Sequence, residues 1–566
     1  MQEIIEALHS ASWLAGHSLP GDIDQLLLAG LPCRPEWVYG VKCLDSLLLS
    51  RMADENRLSY GLEDLACTLL SASPWKGAST ALMATPGNMA SVPPEIRKER
   101  CRLDAWWAYK LVEALWPTFV ASRSLVEFTH RVAWAIHRVC LAGAVVDLDE
   151  FDRMAGNITE QVADLLWEIH REVTAHGFTE TFAPTNDHHI RVYLYDILGL
   201  VPPKHTKTGL AAVDKSTLQS LSHPVADLLV EYSRWDKLRS TYVDSLRVCV
   251  SPTGDSGSAR VGWLRWHINP LGARTGRRTS ENPNSQNWPE SVRRIVRSRW
   301  PAGHIGDFDF KALEPVILGW VAEDERFLSA FTKGKGYVDV AWWLFKKRVE
   351  EGTKEYKAAK AIVLGTNYGM GAGTLARALG TDVDVAARLR RTYFGAFPGV
   401  HAYMAGRRAE LLNTGQVVSR TGRVRRLPVP DGEETPGFKH LENVAVNFPI
   451  QSFAADVTGS AVVDVEAALL REQNQTLTEH HQHLARIEKN LTNGHPLGTV
   501  GLMEYSLVEN EVHDSLVLDI HSAHPERDTE LVVETMQALP TLRRLVPSFT
   551  IPLRVKVQRG TSWGGQ

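Results

Sequence analysis

The chain lacks the marks of several large protein classes. No apolar run approaches the roughly 20 residues of a membrane span, and Glu3 and Glu6 stand where a secretory leader would be basic. The six cysteines, Cys33, Cys43, Cys67, Cys101, Cys140 and Cys249, form no CxxC pair and no zinc-finger spacing, so they read as free thiols in a reducing compartment. Positive charge is not in excess. With 62 Lys and Arg against 66 Asp and Glu the net charge is −4, which excludes a generally basic nucleic-acid coat and leaves any polyanion to local patches. No internal repeat is evident. These absences predict a cytoplasmic globular protein with no membrane partner, and 566 residues are enough for several packed domains.

What is present centres on His304–Glu314, HIGDFDFKALE. Period two sets Gly306, Phe308 and Phe310 on one side of an extended segment and Ile305, Asp307 and Asp309 on the other. Pro315 suits the first turn of a helix, so the chain is predicted to turn helical near Glu314, with Asp309 at the junction. A carboxylate on a rigid strand end suits a hard divalent cation, which takes oxygen ligands and shares itself with substrate phosphates.

Other segments supply possible companions. Seventeen Trp offer aromatic faces for packing or base stacking. Between Arg260 and Arg299 nine Arg stand against two Glu, interleaved with Trp263, Trp266, Trp288 and ENPNSQN, the clearest basic patch. In KEYKAAKAIVLGTNYGMGAGT, Tyr356, Lys360, Leu364 and Tyr368 recur every four residues, so one helical face carries a cation flanked by aromatic and aliphatic groups. The glycines at 369, 371 and 373 follow a helix, not a strand, and read as helix termination. The stretch AGAVVDL is predicted as a strand between helices, and VVSRTGRVRRLPV as a basic hairpin. SLVENEVHDSLVLDI is predicted as two strands with His513 and Asp514 at the turn, and IPLRVKV as a closing strand. DLLVEYSRWDKLRSTYVDSL is predicted as a long amphipathic helix followed by a Gly/Ser-rich hinge loop at 251–258. PGNMASVPPEIRKER is predicted as a loop, and NFPIQSFAADVTGSAVVDVEAALL as a helix with Gln451 near its start. Residues 472–500 are polar and read as an excursion. Its His480, His481 and His483 lack a Cys or clear fourth ligand, so a solvated helix or loop is expected there in preference to a metal site.

Two Asp on separate strands, a helical Lys and an Arg/Asn/Gln-rich loop suit phosphoryl transfer, which needs positioning and charge neutralisation more than covalent chemistry. In order, DFKALE, KAIVLGTNYG and VHDSLVLD resemble motifs A, B and C of the family A (Pol I-type) DNA polymerases. TKTG at 206–209, KLRSTY at 237–242, TGRRTSENPNSQNWP, YFGAFPGV and NFPIQSFAAD extend the resemblance over nearly the whole chain. It implies an α+β multidomain right-hand polymerase fold: a palm with an antiparallel sheet, helical fingers and thumb, preceded by a partial ribonuclease H-like α/β exonuclease region. The implied boundaries are 1–120 for that region, 121–259 for palm entry and thumb, 260–325 for palm with motif A, 326–430 for fingers, and 431–566 for palm with motif C. The implied function is template-directed addition of dNTPs to a primer 3′-hydroxyl in DNA replication, in a bacteriophage-like enzyme acting in the host cytoplasm.

Residue by residue, the resemblance implies that Asp309 and Asp514, with the Phe310 carbonyl, hold two Mg²⁺ ions, for which Mn²⁺ is a substitute. Lys360 grips the nucleotide phosphates, Glu314 is the steric gate against a ribose 2′-hydroxyl, and Tyr356, Leu364 and Tyr368 complete the nucleotide face. Arg277, Asn284, Gln286, Asn287, Gln451 and His513 track the DNA primer–template, and Lys237, Ser240 and Thr241 hold phosphates from the thumb.

The departures matter too. Ser515 follows His513-Asp514 where the family usually has Glu, as in single-subunit RNA polymerases, and Tyr356 stands where motif B usually has Arg, leaving Lys354 or Lys357 for that contact. RNA synthesis, or a catalytically weak primer–template-binding subunit, are therefore the alternatives. In the N-terminal region GHSLPGDID resembles the second exonuclease motif, and Asp22 and Asp104 match acidic positions. The first motif would lie before Met1, Ser18 replaces Asn, and Arg100 replaces Tyr. No proofreading is expected from this chain alone. A separate exonuclease polypeptide, a clamp or a helicase are the further partners to look for.

Overall fold

A computed structural model describes residues 2–85, 89–256, 259–429 and 436–565. At its centre is a four-stranded antiparallel sheet built from β1 (His304–Phe310), β2 (Leu507–Val512), β3 (Ser515–Ile520) and β4 (Val555–Gly560). The spatial order is β2-β3-β1-β4, so the strand of the organising motif lies inside and pairs on both edges. Its alternation explains the placement. Gly306, Phe308 and Phe310 are buried on one face, while Asp307 is half-buried and Asp309 exposed on the other. After β1, Ala312 adopts a left-handed φ of 52° and the chain enters helix Leu313–Val321. Pro315 sits in its first turn, where a missing N–H loses no intrahelical bond.

Behind the sheet runs a 37-residue helix, Pro436–Glu472. Its Phe453, Val457, Val462 and Val465 join Phe308, Phe310, Leu516 and Leu518 in the main core. Gln451 is therefore mid-helix, not near a helix start. Pro449 did not break the pattern because the apolar face on either side of it is buried against the sheet and its neighbouring helices. Helices Leu148–Ala175 and Pro224–Leu238 build a separate small core around Tyr193, Leu229 and Phe182. Helix Pro224–Leu238 passes through a π-helical turn, Arg239–Val243, into Asp244–Cys249.

Three further expectations are corrected. The stretch expected as a hinge loop after Cys249 is strand Val250–Ser256, paired with Ala259–Leu264, while residues 257–258 lie outside the described residues. Of the expected loop PGNMASVPPEIRKER, Pro94 onward is the start of a 26-residue helix, Pro94–Phe119, with Pro94 at its first position and Glu95 in its first turn. Residues 86–88 lie outside the description. Residues 472–500 are not a solvated excursion. Helix Leu477–Thr492, opened by a Thr476–Glu479 capping box, buries Leu477, His480, His481, Leu484 and Ile487. With Trp37, Leu48 and Trp134 it forms a second core that ties the first 50 residues to helix Arg123–Ala142. Polar composition misled because His480 and His481 bury their rings by hydrogen bonding to Tyr505 and Asp24.

Among the described residues, 2–122 contribute one parallel pair of three-residue strands, Leu14–Gly16 and Cys43–Asp45, within helical surroundings. No helix among the described residues is long and apolar enough to cross a membrane.

Candidate active site

The ladder brings the two motif carboxylates to one end of the sheet. Ser515 pairs with Asp309 across β3 and β1, and Phe310 N–H donates to the Asp514 carbonyl at 3.1 Å. Asp514 lies in the tight β2–β3 turn, for which His513 takes a left-handed φ of 53°. Asp309 faces Asp307 two residues back and Asp514 across the ladder. Desolvation and then those two charges push its carboxyl up to about 6, while Lys556, its cross-strand partner on β4, pulls the other way. Burial likewise raises Asp514, with Arg277 and His513 opposing. Asp307 is held apart, accepting from Trp563 Nε1 at 3.1 Å with Arg293 at 3.9 Å. Two converging carboxylates with raised pKa values form an all-oxygen donor set short of positive charge, which fits a hard divalent ion.

Glu314, in the first turn after β1, is raised by burial and opposed by its ion pair with Arg277. Helix Lys354–Asn367 is linked to this end through Tyr337, which lies near the Glu314 carboxylate and packs against Tyr356 and Lys360. It carries Tyr356, Lys360 and Leu364 at four-residue spacing and closes at Tyr368 with a Schellman pattern, Met370 N–H to Gly365 O at 2.8 Å and Gly369 N–H to Thr366 O at 2.9 Å. Gly369 has φ 76°, and a Cβ there would meet Asn443 at 2.0 Å, so the glycine run terminates the helix as expected. Lys360 is exposed, with Nζ 5.7 Å from the centre of the Tyr337 ring, whose hydroxyl is pushed up to about 12 by burial and the neighbouring Tyr356. The Tyr356 hydroxyl donates to Glu351 at 3.2 Å, and Lys354 and Lys357 are exposed.

Around this centre Asn284 and Asn287 are exposed and joined at 3.0 Å, whereas Gln286 is buried, its amide 3.5 Å from the Glu511 carbonyl. Gln451 is half-buried and His513 exposed. Lys237, Ser240 and Thr241 are exposed at and within the π-helical turn, whose Tyr242 hydroxyl donates to the Asn287 carbonyl at 3.0 Å. Ser515 donates its hydroxyl to the Val512 carbonyl at 3.1 Å.

The basic patch is largely spent inside the chain. Of its nine Arg, eight pair with carboxylates: Arg260, Arg265, Arg277, Arg278, Arg293, Arg294, Arg297 and Arg299. The pairings Arg278–Glu511 and Arg299–Asp519 are buried and join residues more than 200 positions apart, which no local pattern reveals. Sequence reading also missed Tyr337 and Lys556. Period two in the closing strand was the available signal for Lys556, and Tyr337 had none. In the N-terminal region Asp104 accepts from Trp75 Nε1 at 2.8 Å and pairs with Lys76 and Arg100, and Asp22 is exposed.

An antiparallel sheet carrying two carboxylates at one end, backed by a long helix and linked through Tyr337 to a Lys-bearing helix, is the arrangement of a right-hand polymerase fold. The fold likeness is direct: the polymerase domain of Pol1 from M. smegmatis, solved in complex with DNA primer-template and dNTP, superposes with a TM-score of 0.73 at 23% identity, covering 95% of this chain and 83% of that one. DNA polymerase family A matches residues 149–565, and the chain belongs to that family. It is 28% identical to DNA polymerase I of Chloroflexus aurantiacus over 97% of this chain and 54% of that protein. It is also 28% identical to DNA polymerase I of Geobacillus stearothermophilus, over 78% and 46%. The chain spans about half the length of these relatives.

Proposed function

We propose that the chain is a template-directed DNA polymerase that adds dNTPs to a primer 3′-hydroxyl. The observation that carries this reading is the meeting of Asp309 and Asp514 at one sheet end, linked through Glu314 and Tyr337 to the Lys360 helix. Asp309 and Asp514 would hold divalent ions, Mg²⁺ in the first instance, and when bound these supply charge neutralisation and a more acidic 3′-hydroxyl. The protein's own part is positional. Lys360, propped by the Tyr337 ring, takes the triphosphate charge. Glu314, held by Arg277, fills the space beside the sugar and selects against a 2′-hydroxyl. Tyr368 closes the helix next to the templating position, and exposed Asn284, Asn287 and His513 meet the duplex. The 326–430 segment acts as fingers and 121–259 as palm entry and thumb, with Lys237, Ser240 and Thr241 on phosphates. A bacteriophage source and absence of proofreading complete the proposal. Asp104 held by Lys76, Arg100 and Trp75 supports the latter.

Primer extension on a recessed template with Mg²⁺, with dNTPs and rNTPs in parallel and an Asp514→Ala control, tests it. Extension with dNTPs alone, lost in the control, is expected. Equal use of rNTPs would favour the RNA-polymerase alternative that Ser515 raises, and binding without extension would leave a primer–template-binding subunit.

A further inference from the structure

Among the helices of the second core, three deliver one ligand each to a common point. Asp24 comes from helix Pro20–Leu28, His137 from helix Arg123–Ala142 and His481 from helix Leu477–Thr492. The two Asp24 oxygens meet one imidazole each, His481 Nε2 at 2.6 Å and His137 Nε2 at 2.8 Å. All three ligand atoms lie within 4.8 Å of one another, and this is the only such group of three His, Cys, Asp or Glu among the described residues. Asp24 and His481 are buried, while the His137 side chain keeps 19% of its surface open. His481 Nδ1 is buried with no partner, so hydrogen bonding alone leaves the ring incompletely satisfied.

We propose that Asp24, His137 and His481 form a zinc site that staples the N-terminal region and the 477–492 helix to the body of the molecule. Two imidazoles and one carboxylate are a borderline donor set, which selects zinc over Mg²⁺. Tetrahedral zinc, with bonds of about 2.0–2.2 Å, needs ligand atoms roughly 3.3 Å apart. The two present contacts must open by about 0.5–0.7 Å, a side-chain adjustment. As it takes the ion, each neutral imidazole shifts its single proton from Nε2 to Nδ1 with no net release, and the open side at His137 admits the ion and a water as fourth ligand. The ligands are 113 and 344 positions apart along the chain (24 to 137, 137 to 481), so a single ion fixes three elements with no local connection. Arg138 beside the site is already neutralised by Glu466 at 2.7 Å.

The test uses the full chain, stripped of metal, loaded with Zn²⁺ and desalted. About one zinc per chain, a melting temperature raised over the stripped form, and affinity lowered at least about a hundredfold in His137→Gln are expected. Because six free cysteines also bind zinc, Co²⁺ is substituted in parallel: the intense d–d absorption of a four-coordinate ion, without a thiolate charge-transfer band and kept in an Asp309→Asn chain, marks the His/Asp site. This cobalt readout on the unaltered chain decides the matter even where His137→Gln fails to fold. No metal retained, an unchanged melting temperature, or a thiolate band alone overturns the proposal and leaves a hydrogen-bonded cluster. None of these readouts depends on polymerase activity.

Discussion

At the scale of single residues the sheet end is electrostatically unfavourable by itself. Asp309, raised to about 6 by desolvation, Asp307 and Asp514, is ionised at pH 7 against its neighbours. A raised carboxyl adds stability when protonated, fully below its unfolded value near 4 and lost as pH rises through about 6. In metal-free buffer, Asp309→Asn should therefore melt no lower than the parent at pH 8, while primer extension falls at least about a hundredfold. Paired calorimetry and extension assays check this. In the parent, metal-dependent extension should decline as pH drops through about 6, because protons compete with the ion for Asp309, and a pH profile at fixed Mg²⁺ reads it. Glu314→Ala should raise relative rNTP use about tenfold or more, since a gate acts by excluding one hydroxyl. Single-nucleotide kcat/KM ratios measure this, and an unchanged ratio would remove Glu314 from its proposed role.

At the scale of elements, β2 departs from what its pattern suggests. Glu509, Asn510 and Glu511 are all buried, and Glu511 is tolerated because Arg278 meets it with Thr458 and the Ala455 carbonyl completing the guanidinium's bonds. Removing one partner leaves a buried charge. Arg278→Met should cost about 3–5 kcal/mol, with much of the loss recovered by adding Glu511→Gln. Denaturant unfolding of the single and double variants tests the coupling. The Lys360 helix is simpler. Its 354–368 pattern was legible because four-residue spacing survives whatever packs on the other side, and its end was legible because a left-handed C-terminus needs Gly369.

At the scale of the molecule, the first 50 residues share a core with helices Arg123–Ala142 and Leu477–Thr492, while the carboxylates belong to the other large core. Trp37→Ala should cost about 3–5 kcal/mol of stability yet leave the extension rate of the folded fraction near that of the parent. Unfolding midpoints and kcat at low temperature separate the two effects.

The sequence by itself determined the strands and helices that carry the site: β1 with its alternating Asp, the β2–β3 turn at His513-Asp514, and the Lys360 face. Each is set by local periodicity and turn chemistry within a dozen residues. Only the tertiary structure decided what those residues meet. It buried Arg278 and Arg299 against Glu511 and Asp519, placed Tyr337 beneath Lys360 and Lys556 across from Asp309, and folded the polar 472–500 stretch into a core. The partners of Arg278, Arg299, Lys360 and Asp309 lie tens to hundreds of positions away. Charge pairing and burial at that range depend on where whole elements dock, which no local pattern of residues encodes.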